Sequence, residues 1–169
     1  MSVRVSARSL FAAVALASLA AVAGALVSQH VFDMQPCPWC ILQRVIFLTI
    51  AAVALVALAW PARAMRVTGA WLIAALAACG IAAGMWQHFV AAKSQSCDLT
   101  LADRIVSGLG LDRWWPDVFA VRASCFDAAA DLLGVPFEFW SAAMYAGLGS
   151  VALALLLRKV HITSARTQH

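Results

Sequence analysis

The sequence predicts an all-α membrane protein, a four-transmembrane-helix bundle with one long, partly helical outer loop. Composition is the first reason: hydrophobic residues make up 64% of the 169 residues and charged residues 12%, whereas soluble domains average roughly 45–50% and about 25%. The second reason is that four apolar runs approach or reach the roughly 20 residues needed to span a bilayer. These predicted spans are residues 10–27, 41–59, 71–90 and 140–157.

The distribution of charge is the third reason, and it also predicts the orientation. Basic residues cluster at the N-terminus, between the second and third spans, and at the C-terminus: Arg4, Arg8, Arg63, Arg66, Arg158, Lys159 and Arg166. Lysine and arginine mark cytoplasmic loops, so both termini are predicted to be cytoplasmic and loops 28–40 and 91–139 to lie outside. The formal net charge is +4 without a basic stripe, so no nucleic-acid partner is expected.

The first apolar run shares features with a signal peptide. Arg4 and Arg8 precede it, and Ala21-Val22-Ala23 resembles a cleavage site. The run nevertheless exceeds the usual 7–15 apolar residues and continues past that site without a polar region. It is therefore predicted to be a retained membrane helix.

The second span begins with a dithiol, Cys37-Pro38-Trp39-Cys40. Two thiols at this spacing can cycle between dithiol and disulfide with little backbone movement, and a helix N-terminus near Cys40 would favour its thiolate. Arg44 lies one turn further along the same face. Taken singly, the cysteines could form half a zinc site and the arginine could extend to the interface. Together they indicate thiol redox chemistry at a membrane surface.

The third span contains Cys79 at its middle and His88 at its outer end. Cys79 is predicted to be a small buried apolar residue. His88 lies at the same membrane depth as Arg44 and the dithiol, although a histidine at a helix end is often only a solvated interface residue. Aromatic belts predict that Trp39, Trp86 and Trp140 mark the outer interface.

The long outer loop is predicted to be partly helical. Thr100 should cap a short helix that Gly108 ends, and Pro116 should break a second helical segment. The aromatic residues of this second segment either anchor in the membrane interface or pack on the bundle: Trp114, Trp115 and Phe119. A last short helix is predicted to begin at Cys125 and to stop at Gly134.

Cys97 and Cys125 lie at the two ends of this loop and form a candidate second pair. A disulfide between them would close a long loop and could be structural; the adjacent dithiol favours an exchange-active bond. Two pairs in series need a final acceptor of two electrons, and the sequence contains no flavin, nicotinamide or haem fingerprint. A lipid-soluble quinone fits, because a guanidinium such as Arg44 is a good donor to a reduced quinone oxygen.

This arrangement resembles the DsbB family, bacterial inner-membrane proteins that reoxidise the periplasmic dithiol oxidase DsbA. The resemblance covers nearly the whole chain and combines motifs that are not specific singly: Pro36-Cys37-x-x-Cys40-x-x-x-Arg44, Gln87-His88, Cys97-Asp98, and Cys125 after Trp115-Pro116-x-x-Phe119. It implies a thiol:quinone oxidoreductase of the bacterial inner membrane, with periplasmic outer loops, a DsbA-like partner and ubiquinone or menaquinone as acceptor.

The resemblance also implies roles for individual residues. Cys37–Cys40 would be the redox-active disulfide coupled to quinone, and Cys97–Cys125 the redox-active disulfide that meets the partner oxidase. Arg44 matches the family's quinone-site arginine, and His88 falls where the family has a histidine near that site. The Pro38-Trp39 dipeptide between the cysteines matches no functional feature of the family.

Three alternatives remain open from the sequence. A related four-span oxidoreductase of the vitamin K epoxide reductase type would place its C-x-x-C late in the bundle, whereas here it opens the second span. A membrane metal-handling protein could use the four outer cysteines and His88, but the second close ligand pair of zinc sites is missing, so no metal is expected. A purely structural membrane protein with stapled outer loops would leave Arg44 unexplained.

Overall fold

The computed structural model describes residues 6–60, 62–93, 100–128 and 131–166, which are dominated by four long helices. These are α1 (Ala7–Val31), α2 (Pro38–Ala59), α3 (Arg63–Phe89) and α7 (Phe137–Arg166). The loop before α7 contains a 3-10 turn (Ala91–Lys93), α4 (Leu101–Gly108), α5 (Leu111–Trp114), α6 (Pro116–Phe119), β1 (Asp131–Leu132) and β2 (Val135–Pro136).

The four long helices confirm the predicted fold class. Each is long and apolar enough to cross a bilayer, and large apolar side chains such as Leu16, Leu55 and Leu153 point outward from the bundle. Helix α1 packs on α2, α2 on α3, and α3 most extensively on α7, whereas α1 and α7 touch only lightly. The chain is therefore a multi-pass membrane protein whose helix ring is loosest between its first and last spans.

The helices extend beyond the predicted apolar runs. Helix α3 begins at Arg63 instead of residue 71, so the link from α2 is very short, and α1 and α7 also continue past both ends of their runs. Hydropathy marks only the stretch that lies in hydrocarbon. The helical hydrogen bonds continue beyond it, because arginine and alanine are good helix formers.

Small residues let the helices approach closely in the core. The rings of Phe47 and Tyr145 stack with centroids 4.0 Å apart, and the Tyr145 hydroxyl donates to the Gln43 carbonyl at 2.8 Å. A Cβ atom at Gly80 would lie 2.5 Å from the Tyr145 ring, so only glycine fits there. Close contact of this kind is how membrane helices associate.

One sequence prediction about a single residue in the spans is wrong. Cys79 is exposed on the surface of α3 that points away from the bundle, because the buried face of that helix follows Ala77, Gly80 and Ala83 instead. Trp39 is 8% exposed and packs in a cluster with Cys37 and other small residues. Its place in the first turn of α2, under the outer loop, explains this burial.

The first half of the outer loop follows the prediction. Thr100 and Asp103 form a reciprocal capping box at the start of α4, which supplies two of the helix's unpaired backbone donors with partners. The second segment breaks before Pro116 into α5 and α6. Phe119 is buried against Ile41, whereas Trp114 and Trp115 are 91% and 64% exposed, so the segment packs on the bundle by one aromatic residue and presents two outward.

The predicted helix from Cys125 to Gly134 is wrong. Residues around Cys125 form a turn, and β1 and β2 then pair as a short antiparallel hairpin, with Leu132 opposite Val135. The two residues between them, Leu133 and Gly134, both have positive φ angles of 56° and 78°. Two-residue hairpin loops favour this backbone, so the glycine permits a chain reversal instead of ending a helix.

Candidate active site

The dithiol forms the first turn of α2. Cys37 is the N-cap residue, and its sulfur accepts a hydrogen bond from the Cys40 backbone N–H at 3.3 Å. Pro38 occupies the first helical position, where its missing N–H costs nothing and its fixed φ favours the helix. The two sulfur atoms are 2.8 Å apart. Local sequence thus fixes both thiols at a helix N-terminus, where negative charge is stabilised.

A third sulfur, that of Cys125, meets this turn from the outer loop. It forms a hydrogen bond with the Cys37 side chain and accepts one from the Trp39 backbone N–H. The Pro36 carbonyl accepts hydrogen bonds from the backbone N–H groups of Arg122 at 3.0 Å and Ala123 at 3.3 Å. Main-chain contacts therefore hold the segment before Cys125 directly over the dithiol.

The contact between Cys37 and Cys125 shifts the pKa values of the two thiols in opposite directions. The pKa of Cys37 is raised, chiefly by its hydrogen bond to Cys125, then by the one to Cys40 and by burial. The pKa of Cys125 is lowered, chiefly because Cys37 donates to it, although burial and the negative charges of Cys40 and Asp103 oppose this. When both cysteines are reduced, Cys125 is thus the sulfur better suited to be a thiolate, and Cys37 holds the proton.

Arg44 is almost fully buried, with 5% of its surface exposed. Its Nη1 donates to Gln29 Oε1 at 2.7 Å and to the Val118 carbonyl at 2.8 Å, and its Nη2 donates to the Ala25 carbonyl at 3.4 Å. Its Nε is buried and has no hydrogen-bond partner among the described residues. Snorkelling alone does not describe this residue, because the guanidinium is held inside the bundle between α1 and the outer loop.

A cavity of about 190 Å³ lies between α1, α2 and α7, with one wall from α3. Cys40 and Arg44 both line it, so the structure places these two predicted site residues on one surface. Most of the remaining wall is apolar; the full lining is Ala21, Val22, Gly24, Ala25, Ser28, Cys40, Gln43, Arg44, Phe47, Gln87, Leu132, Phe137, Glu138, Trp140, Ser141 and Met144. The cavity lies where the helix ring is loosest.

His88 does not line this cavity. Its Nδ1 lies 2.6 Å from Glu138 Oε1, and its ring packs against Phe89 and Phe139. Glu138, which is 6% exposed, does line the cavity. The structure therefore connects His88 to the cavity through a buried carboxylate.

Cys97, the remaining predicted site residue, lies outside the described residues. Among those that are described, no group of three or more metal-ligating side chains occurs. Sequence reasoning assigned no role to four polar side chains around the site, although Gln87 belongs to a motif of the family resemblance: Gln29, Gln43, Gln87 and Glu138. Each of these side chains is an amide or an acid within or beside an apolar span. Polar groups in membrane helices are rare and often functional, so their presence near the dithiol was the signal that could have identified them as site residues.

Comparisons with known proteins give one consistent set of matches. The family model described as disulfide bond formation protein DsbB matches residues 7–155. Disulfide bond formation protein B of Dechloromonas aromatica is 30% identical over 162 residues, 92% of this chain and 96% of that protein. Disulfide bond formation protein B 1 of Pseudomonas syringae pv. syringae is 34% identical over 142 residues, 83% of each chain. Protein B 2 of Burkholderia lata is 33% identical over 144 residues, covering 85% and 83%.

Proposed function

The chain belongs to the DsbB family and is thus a membrane oxidoreductase of disulfide bond formation. We propose that this protein reoxidises a periplasmic DsbA-like dithiol oxidase and passes the electrons to a membrane quinone, ubiquinone or menaquinone. The protein resides in the bacterial inner membrane with both termini cytoplasmic, as the basic residues favour. The observation that carries the proposal is that Cys125 contacts Cys37 while Cys40 lines a cavity with Arg44.

The exchange steps follow from these contacts. The partner's dithiol reduces Cys97–Cys125 to two thiols and leaves as a disulfide. The Cys125 thiolate then attacks the Cys37 sulfur of the Cys37–Cys40 disulfide, forming Cys37–Cys125 and releasing Cys40 as a thiolate. Cys97 next attacks Cys125 and releases Cys37. The two electrons of the partner thus reach the pair in α2.

The contact of Cys125 with Cys37 supports this choice of attacking and target sulfur, because a thiolate must reach the sulfur that it attacks. Release of Cys40 leaves negative charge in the first turn of α2, where the helix N-terminus stabilises it.

The cavity beside Cys40 suits the ring of a quinone, which, when bound, accepts two electrons and two protons. Its volume of about 190 Å³ is below the roughly 300–1,000 Å³ of sites that enclose a whole small molecule, as expected if the isoprenoid tail stays in lipid. Arg44 has a buried Nε without a partner in the described part of the chain, and a charged donor of this kind stabilises oxygen that gains negative charge.

His88 contributes to this site through Glu138. The Glu138 carboxylate lines the cavity, and the partly exposed His88 contacts it from the outer end of α3. Protons can pass from the outer aqueous side to His88 Nδ1 and on to Glu138 Oε1, which belongs to a side chain that lines the cavity. This supports a proton-supplying role for His88 instead of direct contact with the quinone.

One experiment separates this proposal from the alternatives. Protein purified from membranes in mild detergent is analysed for extractable quinone and for zinc, and is then mixed with a reduced DsbA-like oxidase and a soluble quinone analogue. Stoichiometric quinone, no zinc and oxidation of the partner coupled to quinone reduction are expected. Bound zinc without quinone would favour a metal-handling protein, and quinone reduction without partner oxidation would favour an oxidoreductase of the vitamin K epoxide reductase type.

A further inference from the structure

Two buried glutamine side chains connect α2 and α3 beside Cys40. Gln43 Nε2 donates to Gln87 Oε1 at 2.8 Å, and Gln87 Nε2 donates to the Cys40 sulfur at 3.4 Å. Each glutamine is only 5% exposed. Burying an amide within a membrane bundle is costly unless it finds hydrogen-bond partners. Here the series of hydrogen bonds ends at the sulfur of Cys40.

The order of this chain fixes the orientation of the Gln87 amide. Its oxygen is occupied by Gln43, so its nitrogen faces Cys40. The opposite orientation would turn an oxygen towards a sulfur that has no hydrogen to donate, either in a disulfide or as a thiolate. The pairing with Gln43 thus presents an N–H donor to Cys40 in both redox states.

We propose that Gln87 is a positioning residue that makes the Cys37–Cys40 pair a stronger oxidant, with Gln43 holding its amide in place. Reduction of the disulfide takes up two electrons and one proton and gives a Cys37 thiol and a Cys40 thiolate. The Gln87 N–H interacts more strongly with the thiolate than with a neutral disulfide sulfur, because hydrogen bonds to charged groups are the stronger ones. Stabilising the reduced form raises the reduction potential.

A purely mechanical role for the glutamines predicts different behaviour. Interhelical hydrogen bonds hold membrane helices together, and the Tyr145 hydroxyl supplies such a bond from α7 to the Gln43 carbonyl. Tyr145 is fully buried and is not among the described residues that line the cavity. Tyr145→Phe is therefore a matched control that removes a buried interhelical bond without altering the donor to sulfur.

The test measures the redox equilibrium of the isolated pair. Cys97 and Cys125 are replaced by Ser and Cys79 by Ala, and bound quinone is removed by detergent exchange. The protein is then equilibrated with glutathione buffers without the partner, and thiols are counted after acid quenching and alkylation. Gln87→Met, which keeps the length of the side chain but has no donor, should lower the equilibrium constant for reduction by glutathione roughly tenfold, equal to about 30 mV. Gln43→Met should shift it less and in the same direction.

This inference rests on the proposed redox role of Cys37–Cys40, and the test distinguishes failure of the inference from failure of that role. Folded Gln87→Met with the parent's equilibrium would overturn the role of Gln87, as would an equal shift in Tyr145→Phe. A parent pair that does not exchange reversibly would overturn the redox role itself, and the inference with it. If Gln87→Met leaves Gln43 unpaired and unfolds the protein, Gln43→Met/Gln87→Met removes both amides and should still show the tenfold loss.

Discussion

Arg44 Nη1 donates to the Val118 carbonyl over 2.8 Å, and this bond joins the cavity to the loop that bears Cys125. Gln29 strengthens the connection, since it accepts from Arg44 and donates to the Asp117 carbonyl at 3.2 Å. The guanidinium thus contacts two functional regions at once. A change at Arg44 is expected to affect both the cavity and the docking of α6.

Arg44→Gln should raise the apparent KM for a quinone analogue by roughly 10- to 150-fold, because a hydrogen bond to a charged group is worth about 1.5–3 kcal/mol. Arg44→Lys keeps the charge but loses the planar fork, so its effect should be smaller. Steady-state quinone reduction by folded protein is the measurement, with the exposed Arg113→Gln as control. Parent-like quinone kinetics in Arg44→Gln would remove this residue from the quinone site.

Cys37 and Cys125 should form a disulfide readily when their usual partners are removed. In protein with Cys40→Ser, Cys97→Ser and Cys79→Ala, mild oxidation is expected to give the Cys37–Cys125 bond, because the two side chains already share a hydrogen bond. Mass spectrometry of proteolytic fragments detects it. The matched variant that retains Cys40 in place of Cys37 should crosslink more slowly, on the order of tenfold; equal rates would contradict the assigned exchange partner.

The reactivity of Cys125 should depend on Cys37. Because donation by Cys37 lowers the pKa of Cys125, Cys125 remains a thiolate to a lower pH than an ordinary cysteine does, and loses that charge as the pH falls through the lowered pKa. Cys37→Ala should move the pH of half-maximal alkylation of Cys125 upward. Asp103→Asn should move it downward, since the Asp103 charge opposes the thiolate. Alkylation rates across pH, read by mass spectrometry, test both signs; shifts in one direction for both variants would contradict the assignment.

Gly80→Ala should destabilise the bundle by about 1–3 kcal/mol, because the new methyl group would overlap the Tyr145 ring. Gly147→Ala is the matched control, since a Cβ atom there meets nothing within 4 Å, and it should be neutral or stabilising by up to about 1 kcal/mol. Thermal unfolding in detergent gives the difference in Tm. Equal Tm values for the two variants would show that α3 and α7 pack less closely than described.

Labelling of intact, reduced cells should distinguish the cysteines by side. A membrane-impermeant maleimide is expected to reach Cys97 and Cys125, which belong to the predicted periplasmic loop, but not Cys79 on the lipid-facing surface of α3. Because Cys79 has few packing partners, Cys79→Ala should change stability by less than about 0.5 kcal/mol. Labelling of Cys79 in place of the loop cysteines would reverse the topology.

Sequence reasoning succeeded where one local pattern decides the structure. The four spans follow from length and hydropathy, and the shared surface of Cys40 and Arg44 follows from helical spacing. The capping box at Thr100 and the break at Pro116 are likewise local. The cap, the break and the shared surface depend on residues within about one helical turn, and each span depends on one continuous run of roughly 20 residues.

The failures depend on contacts between distant segments. In a span that is apolar on every side, the sequence does not show which face is buried. The exposure of Cys79 on the surface of α3 could therefore not be predicted. The burial of Trp39 depends on the loop that covers it. The approach of Cys125 to Cys37 depends on backbone hydrogen bonds to Pro36, and no side-chain pattern encodes those.

The hydrogen bonds to the Pro36 carbonyl determine which substitutions the outer loop can accept at positions 122 and 123. Within the described residues this carbonyl accepts from two main-chain N–H groups, those of Arg122 and Ala123, which every amino acid except proline supplies. The side chains at these two positions can therefore diverge between relatives without loss of the hydrogen bonds that hold the loop over the dithiol. Proline is the single residue that selection should keep out of both positions.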